Sequence, residues 1–264
     1  MIPIPELPDL EVFRVNIFRK LTAKHLLGVE VCNSLKVNVP AGESLDELGG
    51  MELAAIDRSG KELLFRFKGD RVIAVHLMLS GEISMLPRER VESVGFKIFA
   101  MHFARESLVF SDRGGLCTVR YMPQTDAVPD ALGEDFTLGY FKKAAAAKAR
   151  TNVKAFLIDQ KIVKGIGNAY ADEILWRARI SPRSVVGKIP EEKLCELYFS
   201  VGTVLSEAVA SIKAMAPDII SGEVRSFLRV HNKALRTTET GYPITVEKIA
   251  SKITYYTKEQ VLYF

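Results

Sequence analysis

The sequence predicts an α+β fold, in which a helix and an antiparallel β region come first and further helices and a small β hairpin follow. Three observations lead to this prediction. Apolar residues recur at helical spacing over residues 9–27. Short runs of alternating apolar and polar residues fill residues 28–122. From Thr137 the apolar residues form helical stripes again, and strand patterns return after residue 222.

Each element has its own signal. The helical spacing of the first element is carried by Leu10, Phe13, Ile17, Leu21 and Leu26. The β region contains runs such as KELLFRFKG and RVIAVHLMLSGEISML, separated by the turn signals RSGK and KGD. This alternation predicts a sandwich or a barrel. The Pro-, Asp- and Gly-rich segment PQTDAVPDALGEDF then marks a domain boundary.

The second half predicts four helices and a terminal hairpin. The helical segments are GYFKKAAAAKART, NVKAFLIDQKIV, NAYADEILWRARI and PEEKLCELYFSVGTVLSEAVASIKAM. The strand patterns are GYPITVEKI, KITYYT and QVLYF. We therefore expect domains at residues 1–125, 137–221 and 222–264.

Composition limits the class of protein. A chain of 264 residues with 48% hydrophobic and 26% charged residues is typical of a globular protein. Its three cysteines are odd in number and widely spaced, which argues against a disulfide framework and a cysteine metal site and favours the cytoplasm. We also expect no secretory signal and no membrane-spanning apolar run.

Positive charge is concentrated in the middle and at the end of the chain. Residues 141–183 contain ten Lys and Arg against three Asp and Glu, although the net charge of the whole chain is only +4. Such a distribution indicates a polyanion partner, or equally a solvated lysine-rich surface.

The segment KIVKGIGNAYADEILWRARISP carries the most specific signal. It predicts a helix that ends near Val163, a tight turn from Lys164 to Gly167, and a second helix capped by Asn168. Backbone N–H groups at Gly165 and Gly167, a helix N-terminus and nearby lysines suit a phosphate. The alternative is a plain helix corner whose glycines serve only the turn.

Through this motif and three others, the chain resembles the formamidopyrimidine-DNA glycosylase/endonuclease VIII family. GIGNAYADEILWRARISP resembles the helix–two-turn–helix signature of that family, and PELPDLE resembles its opening. SGKELLF and HLMLSG resemble the segments that carry its lysine and its void-filling residue. The resemblance implies a β-sandwich domain, a helix–two-turn–helix domain, and removal of oxidised bases followed by strand cleavage.

The resemblance also implies the catalytic residues. Pro5 would be the amine nucleophile, Glu6 the proton donor to the sugar ring, and Lys61 an assistant in base release or elimination. However, Pro5 is internal in this sequence, so its nitrogen is an amide. Five outcomes stay open: trimming before Pro5, a different true start, a substitute amine on Met1, a substitute amine on Lys61, or loss of the lyase.

Further residues are implied as DNA contacts. Asn168 and Lys154 would hold phosphates beside a flipped nucleotide, and Leu79 would fill its vacated place. The complete predicted DNA-binding set is Lys154, Lys164, Gly165, Gly167, Asn168, Lys252, Leu79, Arg113 and Lys97. Lys97 is included as a replacement for a phosphate-contacting histidine, whereas His76 is interpreted as a structural histidine.

Two regions depart from the family pattern: the C-terminal tail, and the loop residues that fill the gap left in the DNA stack, here called the wedge. The family usually ends in a four-cysteine zinc finger, but Thr237, Thr240, Thr257 and Gln260 stand near the four ligand positions. We therefore predict a zincless finger, with no metal and no cofactor, held by packing of Tyr242, Ile244, Ile253, Tyr255 and Tyr256. In SDRGGLC, Arg113 remains, but Gly115 and Leu116 replace the Arg–Phe pair that fills the DNA stack in many relatives.

These features are compatible with three functions. The first is a DNA glycosylase and abasic-site lyase, the second a damage-binding protein of the same fold, and the third a general polyanion or RNA binder. Glu6 favours the enzyme, because a carboxylate beside DNA repels phosphate. We expect a monomer that acts on double-stranded DNA with damaged bases or abasic sites, in the cytoplasm and with the nucleoid if the source is bacterial. The sequence predicts no particular lesion.

Overall fold

The computed structural model of the chain describes residues 5–124 and 126–264, which contain five α-helices and eleven β-strands. Their contacts divide them into two units. The first unit consists of the described residues up to Asp126 together with Ile212–Glu223. The second consists of Ala127–Ser211 and Val224–Phe264. The division into 1–125, 137–221 and 222–264 stays a prediction.

Helix α1 spans Leu7–Leu21 and is shorter than the predicted 9–27. It begins two residues earlier because Glu6 and Asp9 form a reciprocal capping box and prolines flank the N-terminus. It ends at Leu21 because Ala23 takes a φ of 58°, which leaves the helical region. Leu26 is buried, as its spacing suggested, but from a loop position.

Nine strands follow in the first unit. They are β1 (Gly28–Val31), β2 (Val37–Asn38), β3 (Leu53–Ser59), β4 (Glu62–Phe67), β5 (Arg71–His76), β6 (Gly81–Leu86), β7 (Lys97–His102), β8 (Ser107–Asp112) and β9 (Thr118–Tyr121). One sheet has the order β1-β7-β8-β6 and the other has the order β2-β9-β5-β4-β3. All pairs are antiparallel except β2 with β9, which is parallel and departs from the expected pattern.

The two sheets form a sandwich rather than a barrel. Phe65 of the five-stranded sheet meets Phe110 of the four-stranded sheet edge to face, with ring centroids 5.8 Å apart. Phe13 and Ile17 of α1 belong to the same buried cluster. Alternation along each strand therefore places one row of side chains in a shared core.

The second unit contains α2 (Leu138–Ala147), α3 (Val153–Ile158), α4 (Asn168–Arg177) and most of α5 (Glu191–Met215). Helix α3 ends five residues before the predicted Val163, because Asp159 leaves the helical region at its C-terminus. Helix α5 is long and apolar enough by length and composition to cross a membrane, which the sequence interpretation did not anticipate. Its apolar residues form a buried stripe made of Leu197, Val201, Leu205, Ala208 and Ile212.

The chain ends in a hairpin of β10 (Thr245–Ile249) and β11 (Lys252–Tyr256). Its two turn residues, Ala250 and Ser251, both have positive φ, as a tight hairpin turn requires. The expected third strand, QVLYF, is absent from the described residues 260–264, where Val261 forms only an isolated bridge with Ile180.

The packing predicted for the hairpin is only partly right. Tyr255 is buried against Trp176 and Val230, with Ile244 beside them. In contrast, the side chains of Tyr242 and Ile253 are exposed.

Candidate functional site

Pro5 and Glu6 lie at the start of α1, and both are buried. The backbone N–H of Glu6 donates to Asp9 Oδ2 at 2.9 Å, and the Glu6 carboxylate accepts from the backbone N–H of Asp9. This reciprocal cap fixes the carboxylate one residue after Pro5. The cap also gives Glu6 a structural role, so its presence alone is weaker support for catalysis than the sequence suggested.

Lys61 lies in the two-residue turn between β3 and β4, where Gly60 has a φ of 60°. His76, at the end of β5, pairs in register with Glu62, directly after this turn. Its Nδ1 accepts a hydrogen bond from the backbone N–H of Met78 at 2.9 Å. Burial lowers the pKa of His76, Glu62 opposes that effect, and the positive charge of Lys61 lowers it further. His76 therefore supports the following loop as a neutral ring, in agreement with its structural interpretation.

Leu79 and Arg113 lie on two exposed loops of the first unit. The Leu79 side chain is 50% exposed. The two loops are joined by Asp112, which is buried and accepts hydrogen bonds from the Ser80 hydroxyl and from the Gly114 N–H at 2.8 Å. Leu79 is thus held with its side chain toward solvent, as a residue that enters a DNA stack requires.

Lys97 begins β7 but forms two ion pairs. Its Nζ lies 2.9 Å from Glu92 and 3.4 Å from Glu30, and its side chain is largely buried. The hydrogen bond to Glu92 raises the pKa of Lys97, against a smaller opposing effect of burial. A phosphate would have to compete with two carboxylates, so the geometry favours a structural role for Lys97 over the predicted DNA contact.

The predicted glycine turn precedes α4. Gly165 has a φ of 103°, and its N–H donates to Gln160 Oε1 at 2.9 Å. Lys164 is half-buried, and its backbone pairs with residues 129–131. Gly167, not Asn168, is the N-cap of α4, so Asn168 is the first residue inside the helix.

Asn168 contacts the strand that carries Lys252. Asn168 Nδ2 donates to the carbonyl oxygen of Ile253 at 2.9 Å, and Lys252 is the adjacent residue on β11. An amide nitrogen carries two hydrogens, so this contact leaves one for another acceptor. Lys252 is exposed, and Asn168 is half-buried.

Lys154 lies inside the protein. Its side chain is 0% exposed, and its Nζ is 2.7 Å from Asp172 Oδ1 and 2.6 Å from Thr254 Oγ1. Asp172 Oδ2 also accepts from the Tyr255 N–H at 2.9 Å and lies 2.7 Å from His231 Nδ1. The geometry therefore favours an internal role for Lys154, holding β11 to α4, over the phosphate contact that the sequence predicted.

Glu173 is a second buried acid that the sequence reasoning missed. Its carboxylate accepts from three consecutive backbone N–H groups, at residues 229, 230 and 231, over 2.7–3.0 Å. Burial raises the pKa of Glu173, although the three donors oppose it. The only sequence signal was an Asp-Glu pair on the apolar face of a helix.

Hydrogen bonds hold the finger at two of the four positions where the family usually has zinc-binding cysteines. Thr257 and Gln260 are buried, and Gln260 Oε1 accepts from the Thr257 N–H at 2.9 Å. Gln260 Nε2 donates to the Ile180 carbonyl oxygen at 2.9 Å, which fastens the end of the finger to the loop after α4. Thr237 and Thr240 are exposed. Within the described residues, no three His, Cys, Asp or Glu side chains group as metal ligands.

Two family models match this chain. The formamidopyrimidine-DNA glycosylase N-terminal domain matches residues 4–118, and the formamidopyrimidine-DNA glycosylase H2TH domain matches residues 128–217. The formamidopyrimidine-DNA glycosylase of Heliobacterium modesticaldum is 30% identical over 84% of both chains. That of Carboxydothermus hydrogenoformans is 31% identical over 87% of this chain and 89% of its own.

Solved structures share the fold. A Lactococcus lactis Fpg bound to an abasic-site DNA superposes with a TM-score of 0.83 at 23% identity, covering 96% of this chain and 98% of its own. The same enzyme with an oxidised-pyrimidine DNA gives the same TM-score and coverage. These likenesses and the two domain matches confirm the resemblance seen in the sequence. The chain belongs to the formamidopyrimidine-DNA glycosylase family.

Proposed function

We propose that this chain is a base-excision-repair DNA glycosylase with abasic-site lyase activity, acting as a monomer on duplex DNA that contains oxidised bases or abasic sites. The observation that carries the proposal is membership of the family across both its N-terminal domain and its H2TH domain. The proposed location is the cytoplasm, with the nucleoid in a bacterium, and similarity to bacterial glycosylases supports it.

In the proposed mechanism a secondary amine attacks C1′, and the damaged base leaves with the electrons of its bond to that carbon and takes up the amine proton. Glu6 protonates the ring oxygen as the C1′–O bond opens to give an iminium, which makes a neighbouring C–H acidic, and elimination then cuts the strand. The cap on α1 keeps the Glu6 carboxylate next to Pro5, where this proton transfer would occur. Lys61, from the β3–β4 turn, would assist base release or elimination.

The proposed phosphate contacts are Asn168, Lys252 and the turn before α4. Asn168 retains an N–H beyond its bond to Ile253, and Lys252 is an exposed cation on the strand that Asn168 contacts. Lysine gives charge without the bidentate geometry of arginine, so this contact is expected to fix position more than orientation.

The nitrogen of Pro5 decides whether the lyase works. Its lone pair is delocalised into the amide that it forms with Ile4, and an amide nitrogen does not attack a sugar carbon. The proposed lyase therefore includes removal of residues 1–4, which lie outside the described residues, as does the alternative amine of Met1. If the amide persists and no amine of Lys61 or Met1 takes its place, the second candidate function applies: a damage-binding protein that does not cut DNA.

Borohydride trapping on an abasic-site duplex tests the proposal. The reduced adduct and the N-terminus of the protein would be identified by mass spectrometry. An adduct on a chain that begins at Pro5 supports the proposed lyase, and an adduct on Lys61 or Met1 replaces the nucleophile. Tight abasic-site binding without an adduct, on a chain that retains Met1, supports the binding protein instead.

A further inference from the structure

The wedge of this protein is incomplete in sequence. When a nucleotide leaves the duplex, apolar or aromatic side chains must fill the gap, because unstacked bases lose favourable contacts. Leu79 provides one such side chain, but Gly115 and Leu116 stand where many relatives have an Arg–Phe pair. An aromatic side chain on another loop of the same unit could complete it.

Three loops of the first unit meet at Asp112. Its carboxylate accepts from the Ser80 hydroxyl and from the backbone N–H groups of residues 114, 116 and 117. Its own N–H donates to the Phe96 carbonyl oxygen at 3.0 Å. One buried carboxylate residue therefore joins the loop of Leu79, the loop of Arg113 and the turn that carries Phe96.

Phe96 is unusual in two respects. Its ring is 65% exposed, and its φ of 55° is a conformation that a bulky residue rarely adopts. The exposed ring gains little from burial, so folding alone does not account for a phenylalanine in this strained position. The plain alternative is a turn residue whose ring only covers a neighbouring side chain.

Arg113 lies over the face of this ring. Its Cζ is 5.9 Å from the ring centroid of Phe96, within the range of a cation–π contact. Arg113 is itself exposed. Other exposed apolar side chains occupy the same loops, at Met78, Leu79 and Leu116, with 37–50% of their surface accessible.

We propose that Phe96, with Arg113 on its face, is the aromatic wedge of this protein and stacks on a base left without a neighbour when the damaged nucleotide leaves the duplex. Leu79 fills the vacated position, and Phe96 supplies the ring that SDRGGLC lacks. This assignment rests on the proposed function. A phenyl ring offers no hydrogen bond to a base, so stacking on it tolerates any partner base. Binding is therefore expected to depend little on the base opposite the lesion.

Phe96→Gly in the full chain tests the assignment, because glycine adopts a positive φ without strain and the variant should fold. The probe is a duplex with a tetrahydrofuran abasic analogue and 2-aminopurine at the position opposite it, in which unstacking raises fluorescence. We expect the wild type to bind this duplex more tightly than an intact one and to lower its fluorescence, because the Phe96 ring stacks on the 2-aminopurine. Phe96→Gly should lose most of that decrease and bind about ten-fold more weakly, which corresponds to about 1.4 kcal/mol. Phe96→Trp should retain both properties.

Phe199→Ala is the matched control, because the Phe199 ring is 62% exposed and has no proposed role in binding. Phe96→Asn, which also tolerates positive φ, replaces the glycine variant if thermal unfolding shows that the latter is not folded. If the wild type prefers the abasic duplex and Phe96→Gly binds it with the same affinity and fluorescence change, Phe96 is not the wedge and the proposed function stands. A wild type without that preference would instead remove the proposed function. If Leu116→Ala loses affinity and fluorescence change but Phe96→Gly does not, the wedge is Leu116.

Discussion

The buried ion pair between Lys154 and Asp172 gives the sharpest prediction about stability. Both side chains are at most 1% exposed, and their charged atoms are 2.7 Å apart. Asp172→Asn keeps the shape of the acid but removes the negative charge 2.7 Å from the buried ammonium of Lys154. Such a loss costs about 3–5 kcal/mol of unfolding free energy. Lys154→Met should cost a similar amount, because it leaves the carboxylate without its cation.

The double variant separates this explanation from simple loss of contacts. With both charges gone, an asparagine at 172 can still accept the Tyr255 N–H, so the remaining loss is that of ordinary hydrogen bonds, about 1–2 kcal/mol. The double variant should therefore be more stable than either single variant. The coupling energy should reach at least about 3 kcal/mol, more than most contacting pairs show.

Urea unfolding followed by tryptophan fluorescence measures these values. Trp176 is the single tryptophan, is 4% exposed and belongs to the second unit, so it reports on the region that contains the pair. Lys142→Met is the control, since Lys142 pairs with Glu191 at 2.7 Å on the surface of the same unit and its loss should not move the midpoint. The reasoning would be refuted if the losses of unfolding free energy were additive in the double variant, or if each single variant lost no more than the control.

The other predictions concern the finger, an acid-sensitive loop and the active site. Gln260→Ala should lower the unfolding midpoint by the equivalent of about 1–3 kcal/mol, because it leaves two buried backbone groups without partners, whereas EDTA should not change the wild-type midpoint in the same titration. Burial alone would raise the pKa of Asp112, but hydrogen bonds from Ser80 and from the backbone N–H groups of residues 114, 116 and 117 outweigh it and hold that pKa below its usual value. The stabilisation is therefore present above the unfolded pKa of about 3.9 and is lost as pH falls through the folded value, so the difference in urea midpoint between wild type and Asp112→Asn should begin to shrink below about pH 4 and disappear below the folded pKa. Glu6→Gln should abolish base release in single-turnover assays and leave abasic-site affinity intact, because glutamine can still cap α1.

Each of these has an outcome that contradicts it. EDTA sensitivity would mean that a metal holds the finger. A difference in urea midpoint between wild type and Asp112→Asn that does not shrink between pH 5 and pH 3 would mean that the carboxylate contributes little through its charge. Full base release by Glu6→Gln would remove Glu6 from the reaction and leave it only its role in the cap.

Local patterns in the sequence predicted most of the fold. The alternation in residues 28–122 and the stripes after Thr137 correspond to observed strands and helices, because side-chain periodicity reflects which face is buried. The errors fall where the backbone leaves regular geometry. Ala23, with its positive φ, ends α1 before Leu26, and Asp159 ends α3 before Val163.

The candidate site was harder to predict, because its polar contacts join distant segments. Lys154 was predicted to contact phosphate. Its partners Asp172 and Thr254 lie 18 and 100 positions away in the sequence, and they hold its side chain inside the protein. No local pattern marked Phe96 either, since neither its backbone angle nor Arg113 over its ring follows from the residues around it. The Pro5–Glu6 pair and Lys61 could be proposed from sequence because short motifs carry them, and their roles stay predictions.

The way in which the finger is held has a consequence for where this protein can work. The three cysteines of the chain are Cys32, Cys117 and Cys195, so the finger contains no thiol. Cysteines that bind zinc do so as thiolates, the form of cysteine that oxidants attack, and an oxidised cysteine is lost as a ligand. Threonine, glutamine and a buried lysine undergo no such reaction. A hairpin fastened by Gln260 and Lys154 therefore keeps its position under the same oxidative stress that damages DNA bases, and it does so in a cell that is short of zinc.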